Sequence, residues 1–122
     1  MYENNWESLN ARPVPEWFAD AKFGIFIHWG LYSVPAYAPK GDYAEWYGYA
    51  CNIEKPEHPS HDKYKAYHKE HYNSRPYYDF INDFKGERFD ANKWAELFKR
   101  AGAKYINFVS KHHDGYCNIS PH

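Results

Sequence analysis

"FGIFIHWGLY", Phe23 to Tyr32, is the stretch on which the reading of this chain turns. Phe23 to Ile27 are apolar almost without a break. A strand with one wet face alternates polar and apolar residues, whereas a continuous apolar run suits a strand covered on both faces, as in parallel sheets. The run ends on His28 and Trp29 and turns at Gly30. A second stretch, "KYINFVS" (Lys104 to Ser110), has the same character and runs into "KHHDG", Lys111 to Gly115. In parallel α/β folds, ligands bind outside the carboxyl ends of the strands. Parallel pairing would therefore bring His28, Trp29, Lys111, His112, His113 and Asp114 to one rim.

The sequence between the two runs supports that pairing. "FDANKWAELFKRAGAKY" opens with Asp90, a good N-cap, and Trp94, Leu97, Phe98 and Ala101 recur at i, i+3, i+4 and i+7. Gly102 stands where a helix commonly ends in a left-handed residue. "PVPEWFADAK" (Pro13 to Lys22) predicts a short helix with Pro15 in its first turn. Residues 1–12 read as a polar, poorly ordered tail. Residues 30–78 form a long excursion punctuated by Pro35, Pro39, Pro56, Pro59 and Pro76, with helical pieces expected in "DYAEWYGYA", "SHDKYKAYHKEHY" and, just beyond it, "YYDFINDF". A connection of that length is uncommon unless it serves function. Strand, excursion, helix, strand predicts a parallel pair with a right-handed crossover. Two such strands need further structure to cover both faces. A (β/α)8 barrel takes about 250 residues, so the 122 residues here read as one βαβ-like unit of something larger.

Composition narrows the chemistry. Net charge is −1 and the isoelectric point is near 6.7, with no basic stripe, which speaks against a nucleic-acid partner. No apolar run reaches the roughly 18 residues of a membrane span, and "MYENNWESLN" is not a secretory signal as it stands. Localisation stays open. Cys51 and Cys117 stand far apart and settle neither redox compartment nor pairing. Thirteen Tyr, eight Phe and five Trp make 21% of the chain, yet mean hydropathy is −0.93. Tyr and Trp join an apolar face to a polar tip, which suits wet, ring-shaped ligands as well as interfaces.

A sugar ring presents hydroxyls that donate and accept, and C–H faces that stack on aromatic rings. "DYAEWYGY", Asp42 to Tyr49, sets Glu45 beside Trp46 within a tyrosine-rich segment. Histidine and carboxylate serve hydroxyls, and Trp and Tyr serve the faces. A surface carboxylate beside a packing anchor is the plainer reading of Glu45 and Trp46 alone. Metal binding is the competing chemistry, from His58, His61, His68 and His71 or from "HHD". Zinc needs about four converging ligands, or three and an open position. The four histidines lie among Lys and Glu with no Cys beside them, so a solvated helix face is expected.

Taken together, "WFADAKFGIFIHWGLYSVPAY", "EWY" and "FDANKWAELFKRAGAKYINFVSKHHDGY" resemble the N-terminal part of the α-L-fucosidases of glycoside hydrolase family 29, from about Trp17 to Tyr116. The resemblance implies an α/β fold, the N-terminal portion of a (β/α)8-like TIM barrel over residues 13–122, with about two parallel strands and their connecting helices. It implies a retaining exo-glycosidase that removes terminal α-L-fucose from glycans. His28, Glu45, Trp46, His112 and His113 would bind the sugar, and Glu45 is also a candidate acid/base or its helper. No cofactor or metal is implied. The partners implied are fucosylated glycans or glycoconjugates, with no nucleic acid and no membrane, and the remainder of the barrel or a second copy of the chain. The family's nucleophile is an aspartate on a later strand. Asp114 is expected to accept hydrogen bonds within its turn rather than to attack. After "KHHDGY" the family often continues to another aromatic and a Ser/Thr-Lys pair, where this chain reads "NISPH". The expectation is a chain that recognises fucose without cleaving it by itself. A non-catalytic carbohydrate-binding fragment, a subunit of a split enzyme and a histidine-rich metal-binding protein stand as alternatives.

Overall fold

A computed structural model describes residues 2–51 and 57–119. Pro56 and the last residues of "NISPH" lie outside the described residues. The helices are α1 (Trp6–Asn10), α2 (Glu16–Ala21), α3 (Tyr47–Cys51), α4 (His61–Tyr72) and α5 (Ala91–Arg100). The strands are β1 (Gly24–Ile27) and β2 (Tyr105–Phe108), and short 3-10 turns occupy Leu31–Ser33, Ala44–Trp46 and Tyr77–Asn82. β1 and β2 form a two-stranded sheet. Lys104 N–H donates to the Phe23 carbonyl at 2.9 Å and Val109 N–H to that of Ile27 at 3.2 Å. Both partners advance together along the chain, so the strands are parallel, as the two apolar runs predict.

Two compact units share the chain. The first comprises Met1–Ile25 and Asp90–Asn107. Its polar start is not the unstructured tail that its composition suggests. Asn5 caps α1 by accepting from Ser8 N–H at 2.8 Å, and such a cap stabilises a helix end by about 1 kcal/mol. Asp90 caps α5 likewise, accepting from the amides of Asn92 and Lys93, both at 3.1 Å. Gly102 follows α5 at φ +90°, a conformation that costs glycine little. The apolar stripe of α5 is present as predicted, but the cover expected for it is incomplete. None of its residues is buried, and Leu97 is 52% exposed. The ring of Tyr105 packs against Trp17 and Phe18 at 6.1 and 5.4 Å.

Gly24 decides whether the strands can meet. A Cβ there would lie 2.2 Å from Cζ of Tyr105. Gly24→Ala must displace an aromatic ring and is expected to destabilise the chain by about 1–3 kcal/mol, as overpacked sites do. Urea melts of the two chains measure this, and an unchanged midpoint would show that the ring is free to swing away.

The second unit comprises Phe26–Phe89 and Phe108–His122. Its core is Leu31, Tyr32, Tyr47, Ala50, Tyr64 and Phe80. Tyr47, Tyr64 and Phe80 are fully buried, and Tyr37 stacks on Tyr67 at 3.6 Å. This core accounts for much of the tyrosine content. Two of the hydroxyls inside it, those of Tyr64 and Tyr47, are paired: Tyr64 donates to the Tyr43 carbonyl at 2.9 Å. The Arg75 carbonyl accepts from His68 Nε2 at 2.7 Å, so Nε2 carries the proton and Nδ1 accepts from the Tyr47 hydroxyl at 2.9 Å. His61 Nδ1 donates to the Ala50 carbonyl at 2.7 Å. His61 and His68 are each only 7% exposed. The solvated histidine face expected of α4 is therefore wrong for two of its members: they are core residues whose polar atoms are satisfied. Both cysteines are free thiols, and burial pushes that of Cys51 up to about 12.

Candidate functional site

The sharp ends of both strands lie in the second unit, which also holds the excursion. His28 follows β1 directly, and the "KHHDG" turn follows β2. Backbone geometry fixes that turn. Asp114 Oδ1 accepts from Tyr116 N–H at 3.0 Å, Gly115 adopts φ +78°, and Lys111 bridges to Cys117. Two tyrosines from the Tyr77–Asn82 turn brace it from outside. The Tyr77 hydroxyl donates to Asp114 Oδ2 at 2.6 Å, and the Tyr78 hydroxyl donates to the Asp114 carbonyl at 2.5 Å. Asp114 thus spends its carboxylate on the turn, as its position predicts. Asn118 joins the two strand ends: its Nδ2 donates to the carbonyls of Trp29 at 2.6 Å and Val109 at 3.1 Å.

Against this frame the five residues singled out in the sequence come together. The rings of His28 and His112 lie 5.4 Å apart, those of His112 and His113 4.7 Å, and those of His113 and Trp46 4.8 Å. One nitrogen of His28, one of His112 and a carboxylate oxygen of Glu45 all lie within 4.8 Å of one another. Glu45 and Trp46 reach this place because the Ala44–Trp46 turn leads straight into α3, and α3 is anchored by the buried Tyr47. His28 and His113 are exposed, and Glu45, Trp46 and His112 are half-buried. The set is accessible to a solute yet backed by packed aromatics.

Electrostatics favour the neutral, hydrogen-bonding form of His112. Burial lowers the His112 pKa, and His113 and His28 push it the same way, while Glu45 and Asp114 oppose them. A neutral His112 can donate from one nitrogen and accept at the other. Its Nδ1 is buried without a hydrogen-bond partner among the described residues, and so is the hydroxyl of Tyr32. The Tyr32 ring lies 5.4 Å from that of His112. Burial, with Asp114 and then Glu45 adding to it, pushes the Tyr32 pKa up to about 12, so its proton stays on as a donor. Orphaned buried polar groups are rare, and they gather where a ligand or ordered water completes them. Tyr32 and Asn118 lie against the cluster and strand ends, and motif reading missed both. Tyr32 sits inside the quoted first stretch, but nothing local signals that its hydroxyl is buried unpaired.

A cavity of about 500 Å³ adjoins the cluster, lined in part by Tyr49, Lys65, Arg75, Tyr77 and Tyr78. It shares His113 and Asp114 with the site but not His28, Glu45 or His112. The donor set of the cluster and this cavity are therefore neighbours, not one space. Arg75 on the cavity wall pairs with Asp83.

Known proteins carry similar sequences. The family model described as "Alpha-L-fucosidase" matches residues 1–120. An alpha-L-fucosidase of Dictyostelium discoideum is 45% identical over 119 residues, covering 95% of this chain and 24% of its own length. The plasma alpha-L-fucosidase of Homo sapiens is 44% identical, covering 94% of this chain and 23% of its own. The crystal structure of Thermotoga maritima alpha-fucosidase in complex with a mechanism-based inhibitor superimposes with a TM-score of 0.84 at 43% identity, over 99% of this chain and 29% of that one. The chain spans about a quarter of the length of these relatives. With the fold, the order of motifs and the family match agreeing over almost all of its length, this chain belongs to the alpha-L-fucosidase family.

Proposed function

We propose that this chain is the sugar-recognition segment of an exo-acting, retaining α-L-fucosidase built on a (β/α)8-like barrel. The observation that carries the reading is the convergence of His28, Glu45 and His112 within 4.8 Å, with His113 and Trp46 packed beside them. His28, His112, His113 and Glu45 hold the hydroxyls of a terminal fucose, and Trp46 lies against its C–H face. Tyr32 and His112 Nδ1 contribute the two polar groups that a sugar hydroxyl or an ordered water would complete.

Retaining hydrolysis takes two carboxyl groups about 5–5.5 Å apart, one on each side of the bond. Glu45 is the one carboxylate in the cluster, and Asp114 is engaged by Tyr77 and its own turn. The nucleophile is therefore proposed to come from polypeptide other than these 122 residues, with Glu45 as sugar ligand and acid/base helper. The uncovered face of α5, with Leu97 exposed, supports a barrel in which further elements pack there. The glycan to which the fucose is attached, and the rest of the barrel, are the partners of this reading.

Binding is tested by titrating methyl α-L-fucoside into the chain. A hydrogen bond to a charged group contributes about 1.5–3 kcal/mol, so Glu45→Gln is expected to weaken binding by about tenfold or more. Equal affinities for the two chains would remove Glu45 from the sugar site.

A further inference from the structure

The donor set of the candidate site is also a metal-ligand set. Two imidazole nitrogens and a carboxylate oxygen, all within 4.8 Å of one another, come from three separate parts of the second unit: His28 after β1, Glu45 before α3 and His112 after β2. Zinc binds nitrogen and oxygen ligands at about 2.0–2.2 Å, which places tetrahedral ligands about 3.3 Å apart. Rotation of the exposed His28 and half-buried Glu45 side chains closes the remaining distance. Among the described residues no hydrogen bond commits the ring nitrogens of His28 or the carboxylate of Glu45, so neither must surrender a partner. Three of the other histidines differ. His61 Nδ1 is held by the Ala50 carbonyl, both nitrogens of His68 are bonded, and His58 Nδ1 accepts from Ser60.

We propose that His28, Glu45 and His112 form a three-ligand site for a divalent transition-metal ion of the zinc and cobalt(II) class, and that metal and sugar exclude one another there. Two imidazoles and one carboxylate favour borderline ions, whereas Mg²⁺ and Ca²⁺ seek oxygen-only shells. The ligand set stands on geometry alone. The exclusion rests on the sugar reading of the same residues, because a nitrogen lone pair that binds a metal can no longer accept from a hydroxyl. The metal acts here as an inhibitor, with no role in bond cleavage.

The test is a Co²⁺ titration of the untagged 122-residue chain, followed by visible absorption, with Mg²⁺ as control and methyl α-L-fucoside as competitor. One Co²⁺ per chain is expected, unaffected by equimolar Mg²⁺. His28→Ala and Glu45→Gln should each weaken binding by about 10–100-fold, the range seen for lesions around metal sites. His28 is exposed, so its replacement leaves the packing intact, and far-UV circular dichroism checks that both variants stay folded. Adding the fucoside should raise the apparent Kd for Co²⁺ in proportion to its concentration. Absence of Co²⁺ binding, or equal binding by both variants, overturns the metal site. Co²⁺ binding with the expected variant losses, alongside no fucoside binding in metal-free protein, upholds the metal site and overturns the exclusion together with the sugar reading. Fucoside binding without Co²⁺ binding overturns the metal site alone.

Discussion

On the proposed reading, the purified 122-residue chain is expected to hydrolyse an aryl α-L-fucoside no faster than buffer, and to gain turnover when barrel polypeptide from a relative is supplied. A glycosyl-enzyme cannot form without a nucleophilic carboxylate opposite the acid/base. In the acid/base role proposed for it, Glu45 acting alone would offer about 10²–10⁴-fold. Enzymes commonly reach accelerations of about 10⁶–10¹⁷-fold, so the difference between the two samples should span several orders of magnitude. The supplied segment can be the corresponding part of one of the relatives, mixed during refolding. Robust turnover by the chain alone, abolished by Glu45→Gln or by Asp114→Asn, would mean that the catalytic carboxylates are misassigned.

The second large effect is structural and reaches the site through packing. Tyr47 is fully buried, and its ring lies 5.7 Å from Tyr64, 5.6 Å from His68 and 6.3 Å from Phe80. Tyr47→Ala removes an aromatic side chain from a packed core, a change that costs about 3–5 kcal/mol. It also strips His68 Nδ1 of its donor, which adds about 1–3 kcal/mol for a polar group left buried and unpaired. Domains of this size are stable by only about 5–15 kcal/mol, so the variant should melt early or fail to fold. Because Trp46 precedes Tyr47 directly, the proposed sugar binding should be lost with it. Tyr47→Phe keeps the ring and isolates the hydrogen-bond cost. A Tyr47→Ala chain within about 1 kcal/mol of the original in urea would show that this aromatic cluster does not support the unit.

Much of this was legible in the sequence, for physical reasons that differ by element. The strands declared themselves through the apolar run at Phe23–Ile27, but the cover on both faces that such a run predicts is absent among the described residues: Phe26 is 59% exposed and Ile106 48%. α5 was marked by Asp90 at one end and Gly102 at the other, local signals that depend on no distant partner. The convergence of His28 and His112 was legible because parallel strands bring their carboxyl ends to one side. Most of the failures are non-local. His61 and His68 look like members of a charged helix face, yet the Ala50 and Arg75 carbonyls bury and satisfy them from elsewhere in the chain. The spacing His61, Tyr64, His68, at i, i+3 and i+7, carried the signal, but only if histidine is allowed on a buried stripe. Asn5 was a readable cap overlooked in a polar run. The orphaned hydroxyl of Tyr32 depends on which groups surround it in three dimensions and has no signature along the chain.

Recognition of fucose by the five converging side chains is tested most directly with the sugar's own mirror image. L-fucose and D-fucose have identical solubility, hydroxyl count and non-specific behaviour, and differ only in handedness. In chain labelled at histidine and tryptophan, L-fucose should shift the imidazole signals of His28, His112 and His113 and the indole signal of Trp46. The signals of His61 and His68, enclosed in the core, should stay in place. D-fucose at the same concentration should produce at most a tenth of the effect. Equal shifts from both sugars, or L-fucose shifts confined to residues other than these four, would contradict the assignment of this cluster as a fucose site.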